Sequence, residues 1–556
     1  MSTAPTASPV HEPEGGYSHK QILVIMSGLM LGMFLAALDQ TIVSTALPTI
    51  VGDFHRTDLL SWVITAYLLT STAATPLWGK AGDLYGRKRV FQLAIVVFLI
   101  GSVLCGAAQN MYQLIAFRGI QGIGGGGLIS LVFAIIGDVI PPRERGRYQG
   151  YFGGVFGLSS VVGPLAGGFF VDNTSWRYIF YINLPLGILA LIVTNRVLKL
   201  PFVKREVKID WAGAGLLVAG VSSILLATQS GGKDYPWGSP QIVGLFALGA
   251  AFVVGFVLRE KVAPEPILPL RLFRMQIFSV VAVIAFISGV AMFGALAFLP
   301  QYLQLVHGQS ATASGLMLLP LLVGILGCSI GSGRYISATG NYRWFPVVGT
   351  AIVALGLGLL SNVGAHTSLV DIGLYVFVFG AGLGLFMQVL VIAVQNSVER
   401  RDLGVGTSSV TFFRSMGGTI GASAFGAVLI SRLGVELPAR LAAVPRPELA
   451  ALRAQGSGKI TDLVSSPGAL QQIKRTLPHV YEATIQSYST ALDRVFLYAV
   501  PVALLGFLIS LAIKQVQLRG NAPGGAGREA GQAAPGGGAL ASGEAKLDEP
   551  MATPSH

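Results

Sequence analysis

Residues Leu59–Ala108 read LLSWVITAYLLTSTAATPLWGKAGDLYGRKRVFQLAIVVFLIGSVLCGAA. Two apolar runs, about 59 to 78 and 90 to 108, flank a charged segment from Gly79 to Arg89. Each run has about 20 residues, the length that carries a helix across a bilayer core of about 30 Å. Hydrocarbon supplies no hydrogen-bond partners, so a run of this kind must satisfy its own backbone and reads as a helix. The segment between them packs a glycine-containing turn, one acid and a basic run into a short loop at a membrane face. Orientation by positive charge accounts for Arg87, Lys88 and Arg89; it does not account for Asp83 between Gly82 and Gly86.

The pattern continues in both directions. Of the 556 residues 52% are apolar, only 12% are charged and 72 are glycine, with a mean hydropathy of +0.66. Soluble chains carry about 25% charged residues, which excludes an ordinary soluble enzyme. The spacing predicts helices over about 21–47, 59–78, 90–108, 112–136, 148–171 and 178–198, then 211–229 and 240–258, then 276–303, 312–332, 344–362, 369–394, 404–430 and 494–514. The fold class is therefore all-α, a polytopic membrane protein with 14 transmembrane helices arranged six, two, six. The predicted segments are an N-terminal tail 1–20, a bundle 21–200, two inserted helices 201–262, a second bundle 263–519 with a long external loop 431–493, and a tail 520–556. That last tail is rich in Gly, Ala and Pro and is expected to be disordered.

Charge sets the orientation. With the N-terminus inside, cytoplasmic loops and helix ends hold 23 Lys and Arg, whereas the six short external loops hold only Arg56, Arg177 and Lys233. Both termini are then cytoplasmic. Five of six tryptophans (62, 78, 176, 211, 344) stand at helix ends and Trp237 in a short external loop, where amphipathic rings meet the headgroups. The net charge of +12 follows this loop distribution and forms no nucleic-acid face. Cys105 and Cys328 both lie in apolar runs and all seven histidines in tails or loops, so neither a disulfide framework nor an intramembrane metal site is expected. Gly122, Gly124 and Gly127 match G-x-G-x-x-G but follow no strand, and no G-x-x-x-x-G-K-[ST] occurs; nucleotide binding and direct ATP drive are excluded.

Three charges remain at membrane depth, Asp39, Arg118 and Arg414. Such groups face a bundle interior or a wet cavity and mark ion or substrate paths. Burial favours a protonated carboxyl and a nearby cation favours the ionised one, so Asp39 in a cavity that alternates between wet and dry can take up and release a proton. The competing reading is a buried ion pair that holds helices together.

These stretches resemble the major facilitator superfamily, and within it the fourteen-helix drug:proton antiporters of the QacA and EmrB type. The loop pattern is matched by Gly79, Asp83, Gly86, Arg87 and Lys88; LDQTIVSTALP, Leu38 to Pro48, resembles the first-helix motif and carries Asp39. LIAFRGIQGIGGG, Leu114 to Gly126, places Arg118 and Gln121 on one face of the fourth helix. GLSSVVGPLAGG, from Gly157 to Gly168, resembles the antiporter motif with Gly157, Gly163, Pro164, Gly167 and Gly168, and WRYIFYINLPLG, from Trp176 to Gly187, resembles the opening of the sixth helix. Two departures stand out. Leu84 occupies an often basic loop position, and the second-half echo GRYISATGNYR, Gly333 to Arg343, has Ser337 where a second acid would stand, so any latch is expected to be asymmetric.

The resemblance implies two six-helix bundles that rock around a central cavity, driven by protons with no cofactor, as a monomer in a plasma (inner) membrane. The implied activity is multidrug efflux of cationic or amphipathic small molecules, with Asp39, Arg118 and Gln121 coupling protons to cargo. Gln301, Gln304, Gln388, Gln395, Met317 and Arg414 are candidate cavity residues. A lipid or endogenous metabolite is an alternative cargo on the same fold, and a non-transporting sensor or scaffold a third reading. No nucleophile, base and orienter set for an enzyme stands at membrane depth.

Overall fold

The computed structural model describes residues 19–516, apart from 57–58, 142–143, 199–209, 233, 310 and 455–472. The predicted tails, the middle of the 431–493 loop and the boundary residues Arg143, Lys199, Lys204, Arg205, Lys208, Lys233 and Arg519 lie outside the described residues. The first half contains α1 (His19–Phe54), α2 (Leu60–Tyr85), α3 (Arg87–Ala107), α4 (Met111–Val139), α5 (Arg145–Asn173), the single turn α6 (Tyr178–Tyr181) and α7 (Asn183–Val197). The inserted pair is α8 (Trp211–Ser230) and α9 (Pro240–Glu260). The second half contains α10 (Gln276–Leu305), α11 (Ala311–Leu316), α12 (Leu319–Thr339), α13 (Trp344–Leu360), α14 (Leu369–Ser397), α15 (Leu403–Leu441), α16 (Arg446–Ala454) and α17 (Pro478–Ser510).

Among the described residues all regular structure is helical, and ten helical stretches are long and apolar enough to cross a membrane. The other predicted passes fall on α2, α5, α10 and α13. Of these, α13 and the Gln276–Met292 part of α10 are apolar but shorter. The arrangement is compatible with fourteen passes. Starts follow local chemistry: Asn110, Asp210, Ser239 and Ser368 each accept a hydrogen bond from a backbone N–H in the first turn of α4, α8, α9 and α14. Gly86, at φ 90°, makes the turn between α2 and α3.

The sequence underestimates helix length at one end. Predicted passes 404–430 and 494–514 become Leu403–Leu441 and Pro478–Ser510, so much of the predicted loop 431–493 is helix. Outside the hydrocarbon a helix may be polar, and apolar runs do not mark its limits. Glu448 of α16 accepts from the backbone N–H of His479 at 3.1 Å and of Val480 at 3.4 Å and pairs with His479 Nδ1 at 2.6 Å, capping α17. The His479 hydrogen bond holds the Glu448 carboxyl below its ordinary value. This contact is therefore complete above the ordinary carboxylate pKa and lost as pH falls through the depressed one. Hydrogen exchange is expected to quicken in α16 before the membrane helices on acidification.

Helix α4 packs on α2 and α3, α1 on α5 and α7, α10 on α15 and α17, and α14 on α12 and α13. The two halves meet through α5 with α12 and through α2 and α4 with α15. The inserted pair docks through α8 on α2 and α15. Glycine sets the closest approaches: a Cβ on Gly101 of α3 would lie 2.5 Å from the backbone of Gln121 on α4. Gly163 and Gly167 of α5 lie close against α1. A Cβ on either would press on α1, 2.6 Å from Thr41 Cβ at Gly163 and 3.2 Å from Thr45 Cβ at Gly167. Gly168 has open space around it, and the surroundings of Gly157 lie outside the described residues.

Candidate functional site

Asp39 is fully buried in α1, and α4 brings Arg118 and Gln121 to it, one turn apart. Arg118 Nη1 donates to Asp39 Oδ2 at 2.5 Å and to Gln121 Oε1 at 2.7 Å; Gln121 Nε2 donates to Asp39 Oδ1 at 2.8 Å. Two residues that sequence reasoning missed complete the set. Asn183 Nδ2 donates to Asp39 Oδ1 at 3.3 Å and to Ser102 Oγ at 2.9 Å, and Ser102 Oγ donates to the Phe180 carbonyl at 2.9 Å. The Arg118 guanidinium lies 4.3 Å over the Tyr67 ring. Helices α1, α2, α3, α4 and α7 thus converge on one carboxylate.

Such a pair is held by mutual need, since removing one partner from a buried ion pair costs about 3–5 kcal/mol. Without the carboxylate's charge the Arg118 fork would be left to Gln121 and the Val63 carbonyl, already 3.3 Å from Nε. Asn183 Oδ1 is buried without a hydrogen-bond partner. A turn of that amide would present it as the acceptor that a protonated carboxyl needs.

A second cluster joins the halves at the face carrying the basic loops, here the basic face. Asp83 accepts from the backbone N–H of Gly404 at 3.0 Å and of Val405 at 2.9 Å, at the open N-terminus of α15. Helix N-termini favour anions because their first N–H groups lack intrahelical partners. Arg87 Nη2 bonds Asp83 at 2.9 Å, while its Nη1 bonds the Ala134 carbonyl and pairs with Asp138 at 2.8 Å. Gly79 lies against Ser408 of α15, and Leu84 is buried, which suits an apolar residue there. The second-half echo has other contacts. Ser337 Oγ is buried without a partner, and Gln515 bonds the backbone of Gly340, Tyr342 and Arg343 instead.

The remaining candidates lie on α10, just before α12, and on α14 and α15, outside both clusters. Gln395 is buried at the seam between halves, accepting from Arg145 at 3.0 Å and donating to the Phe133 carbonyl at 2.9 Å and to Thr407 at 3.3 Å. Gln304 bonds Ser314 at 3.0 Å, Gln301 is exposed and Met317 is partly buried. Gln388 and Arg414 are partly buried on α14 and α15. Arg145 was unforeseen; its buried Nε also bonds the Ile140 carbonyl at 2.8 Å. Among the described residues no group of three or more His, Cys, Asp or Glu side chains could hold a metal.

Comparison with known proteins places this geometry. Residues 29–422 match the model of the Major Facilitator Superfamily. The chain is 42% identical over 523 residues to an uncharacterised MFS-type transporter of Mycobacterium tuberculosis, covering 93% of this chain and 73% of the relative. To the multidrug transporter protein MdtP of Bacillus subtilis it is 38% identical over 520 residues, covering 91% and 95%. Among solved structures, the human organic anion transporter MFSD10 superposes with a TM-score of 0.56 at 14% identity, over 86% of this chain and 99% of that one, a likeness of fold alone. With a family model spanning most of the chain and relatives covered over 73% and 95% of their own length, this is a membrane transporter, not an enzyme, and it belongs to the major facilitator superfamily.

Proposed function

We propose that the chain exports amphipathic small molecules by alternating access, with proton binding at Asp39 as the drive. One observation carries the reading: a single carboxylate, fully buried and bonded to side chains of α4 and α7, stands in a molecule whose halves are joined at the basic face. In this reading that face is cytoplasmic, the membrane is the plasma membrane, and the described state is closed inward. The name of MdtP, a multidrug transporter, supports a broad apolar-tolerant cargo. Asp39 is already engaged by Arg118, so a cationic cargo would reach it only after that pair opens.

The cycle follows from the network. An external proton on Asp39 dissolves the pair with Arg118, and helices α1 and α4 become free to move relative to one another. Reopening at the basic face delivers the proton to the cytoplasm, re-forms the pair and admits cargo. One charge moved through about 100 mV gains about 2.3 kcal/mol, roughly a 50-fold concentration ratio.

The test is dye efflux from vesicles holding the native chain under an imposed pH gradient. Export that follows the gradient and stops with a protonophore is expected; transport indifferent to the gradient would refute proton drive. Asn183→Leu removes a donor to ionised Asp39 and the spare acceptor for its protonated form. At about 1–3 kcal/mol for such a buried loss, gradient-driven efflux should fall roughly tenfold while exchange without a gradient stays near native.

A further inference from the structure

Among the described residues, one cation at membrane depth has no counter-charge. Arg414 stands 11 residues beyond the first residue of α15, Leu403, about 17 Å along the axis and so near the middle of a core about 30 Å thick. It lies deep in the protein yet keeps part of its surface accessible. Among the described residues its guanidinium forms no ion pair and no hydrogen bond. An isolated guanidinium at this depth is expensive and normally opens to a wet path.

A second group without a partner stands at the same level. Gln388 Oε1 on α14 is buried with no hydrogen bond. Helices α14 and α15 run antiparallel, and their register is fixed by the 3.3 Å bond from Gln395 to Thr407. Gln388 is seven residues before Gln395 and Arg414 seven residues after Thr407. Seven residues are two turns, about 10.5 Å, so both lie two turns further from the basic face on the sides that carry Gln395 and Thr407. Gln395 on that side reaches the Phe133 carbonyl of the first half, so this side of α14 is turned toward the seam between the halves. Asp39 does not compete for Arg414, since Arg118 occupies it.

We infer that Arg414 and Gln388 form an anion subsite in the central seam, which receives a carboxylate or phosphate group borne by an amphipathic molecule. The inference rests on the export reading above and narrows its cargo class. A guanidinium presents a planar fork that matches such oxyanions in two parallel hydrogen bonds, and the Gln388 amide adds a third donor, its oxygen taking any acidic proton or hydroxyl. A purely cationic cargo would meet repulsion here.

The test uses the full chain purified in nanodiscs of zwitterionic lipid and a matched dye pair, rhodamine B with its free carboxylate and its ethyl ester, read by fluorescence anisotropy. Native protein is expected to bind the acid about tenfold or more tightly than the ester. Arg414→Gln should abolish that preference by weakening acid binding while ester binding, relieved of repulsion, is equal to native or tighter, and Arg414→Lys should keep part of it by charge without the fork. Equal affinities in the native chain, or equal loss of both dyes in Arg414→Gln, would overturn the subsite. Binding in nanodiscs needs no gradient, so this result stands apart from success or failure of vesicle export. Phosphatidylglycerol that displaces the acid from native protein but not from Arg414→Gln would support the subsite with a lipid headgroup as its anion. Displacement by free inorganic phosphate alone would support it with a soluble one.

Discussion

Asp39→Asn is expected to abolish uphill, gradient-driven efflux, at least 100-fold below native, while dye exchange without a gradient persists. The amide is close in shape to the carboxylate and can still accept from Gln121 and Asn183, now at 2.8 and 3.3 Å. It cannot take up or release a proton, so the event that makes and breaks the Arg118 pair disappears. The same substitution leaves a fully buried guanidinium without its counter-charge, which costs about 3–5 kcal/mol. A lower melting temperature in detergent is therefore expected, and loss of function needs separating from loss of fold. The double variant Asp39→Asn with Arg118→Gln supplies that control, because removing both charges relieves the penalty that removing one creates. It should recover stability without recovering coupling. Recovered uphill transport in either variant would show that Asp39 is structural and that the proton moves elsewhere.

The legible part of the site was its charge. Asp39 and Arg118 stand out because ionised groups are rare in apolar runs, and one helical turn puts Gln121 beside Arg118 without any knowledge of the fold. Ser102 and Asn183 were not legible on the same grounds. A single hydroxyl or amide in a membrane helix usually bonds its own backbone or a neighbour; only the packing of α7 on α1 turns Asn183 toward the carboxylate, and only that of α3 on α4 and α7 brings Ser102 to the Gln121 and Asn183 amides. Asn183 did lie inside WRYIFYINLPLG, so the motif held it although its role could not be read. The latch shows a different limit. Loop orientation does not explain Asp83, but its partners in the opposite half are backbone N–H groups of Gly404 and Val405, which no side-chain pattern encodes. Arg145 and Gln395 are 250 residues apart, and each alone looks like a boundary cation or a cavity amide. The helical ends of α15 and α17 escaped for a simpler reason, because hydropathy marks where hydrocarbon stops and not where a helix stops.

Gly79→Val is expected to prevent closure at the basic face and to reduce transport to background with the fold intact. A Cβ at this position would lie 2.6 Å from Ser408 Cβ and 2.9 Å from the Gly404 carbonyl oxygen, on a helix of the opposite half. Real side chains do not occupy such distances, and the Gly404 carbonyl is backbone at the helix start that also supplies the N–H groups for Asp83. The clash therefore falls on the contact between halves and spares the packing within either. The described state is excluded and the state open at the basic face is left. This differs from weakening the latch. Asp83→Asn loses the charge at the α15 N-terminus but keeps an oxygen acceptor for one N–H, an effect of about 0.3–2 kcal/mol, so it should slow the cycle severalfold without stopping it. Gly168→Ala supplies the neutral comparison, since a Cβ there meets nothing within 4 Å. A single cysteine at Ser408, labelled from the basic side in inverted vesicles, reads the difference directly. Labelling should rise strongly with Gly79→Val, modestly with Asp83→Asn and not at all with Gly168→Ala. If Gly79→Val labels and transports like native protein, the halves do not close against one another along α2 and α15, and the rocking model fails at its tightest contact.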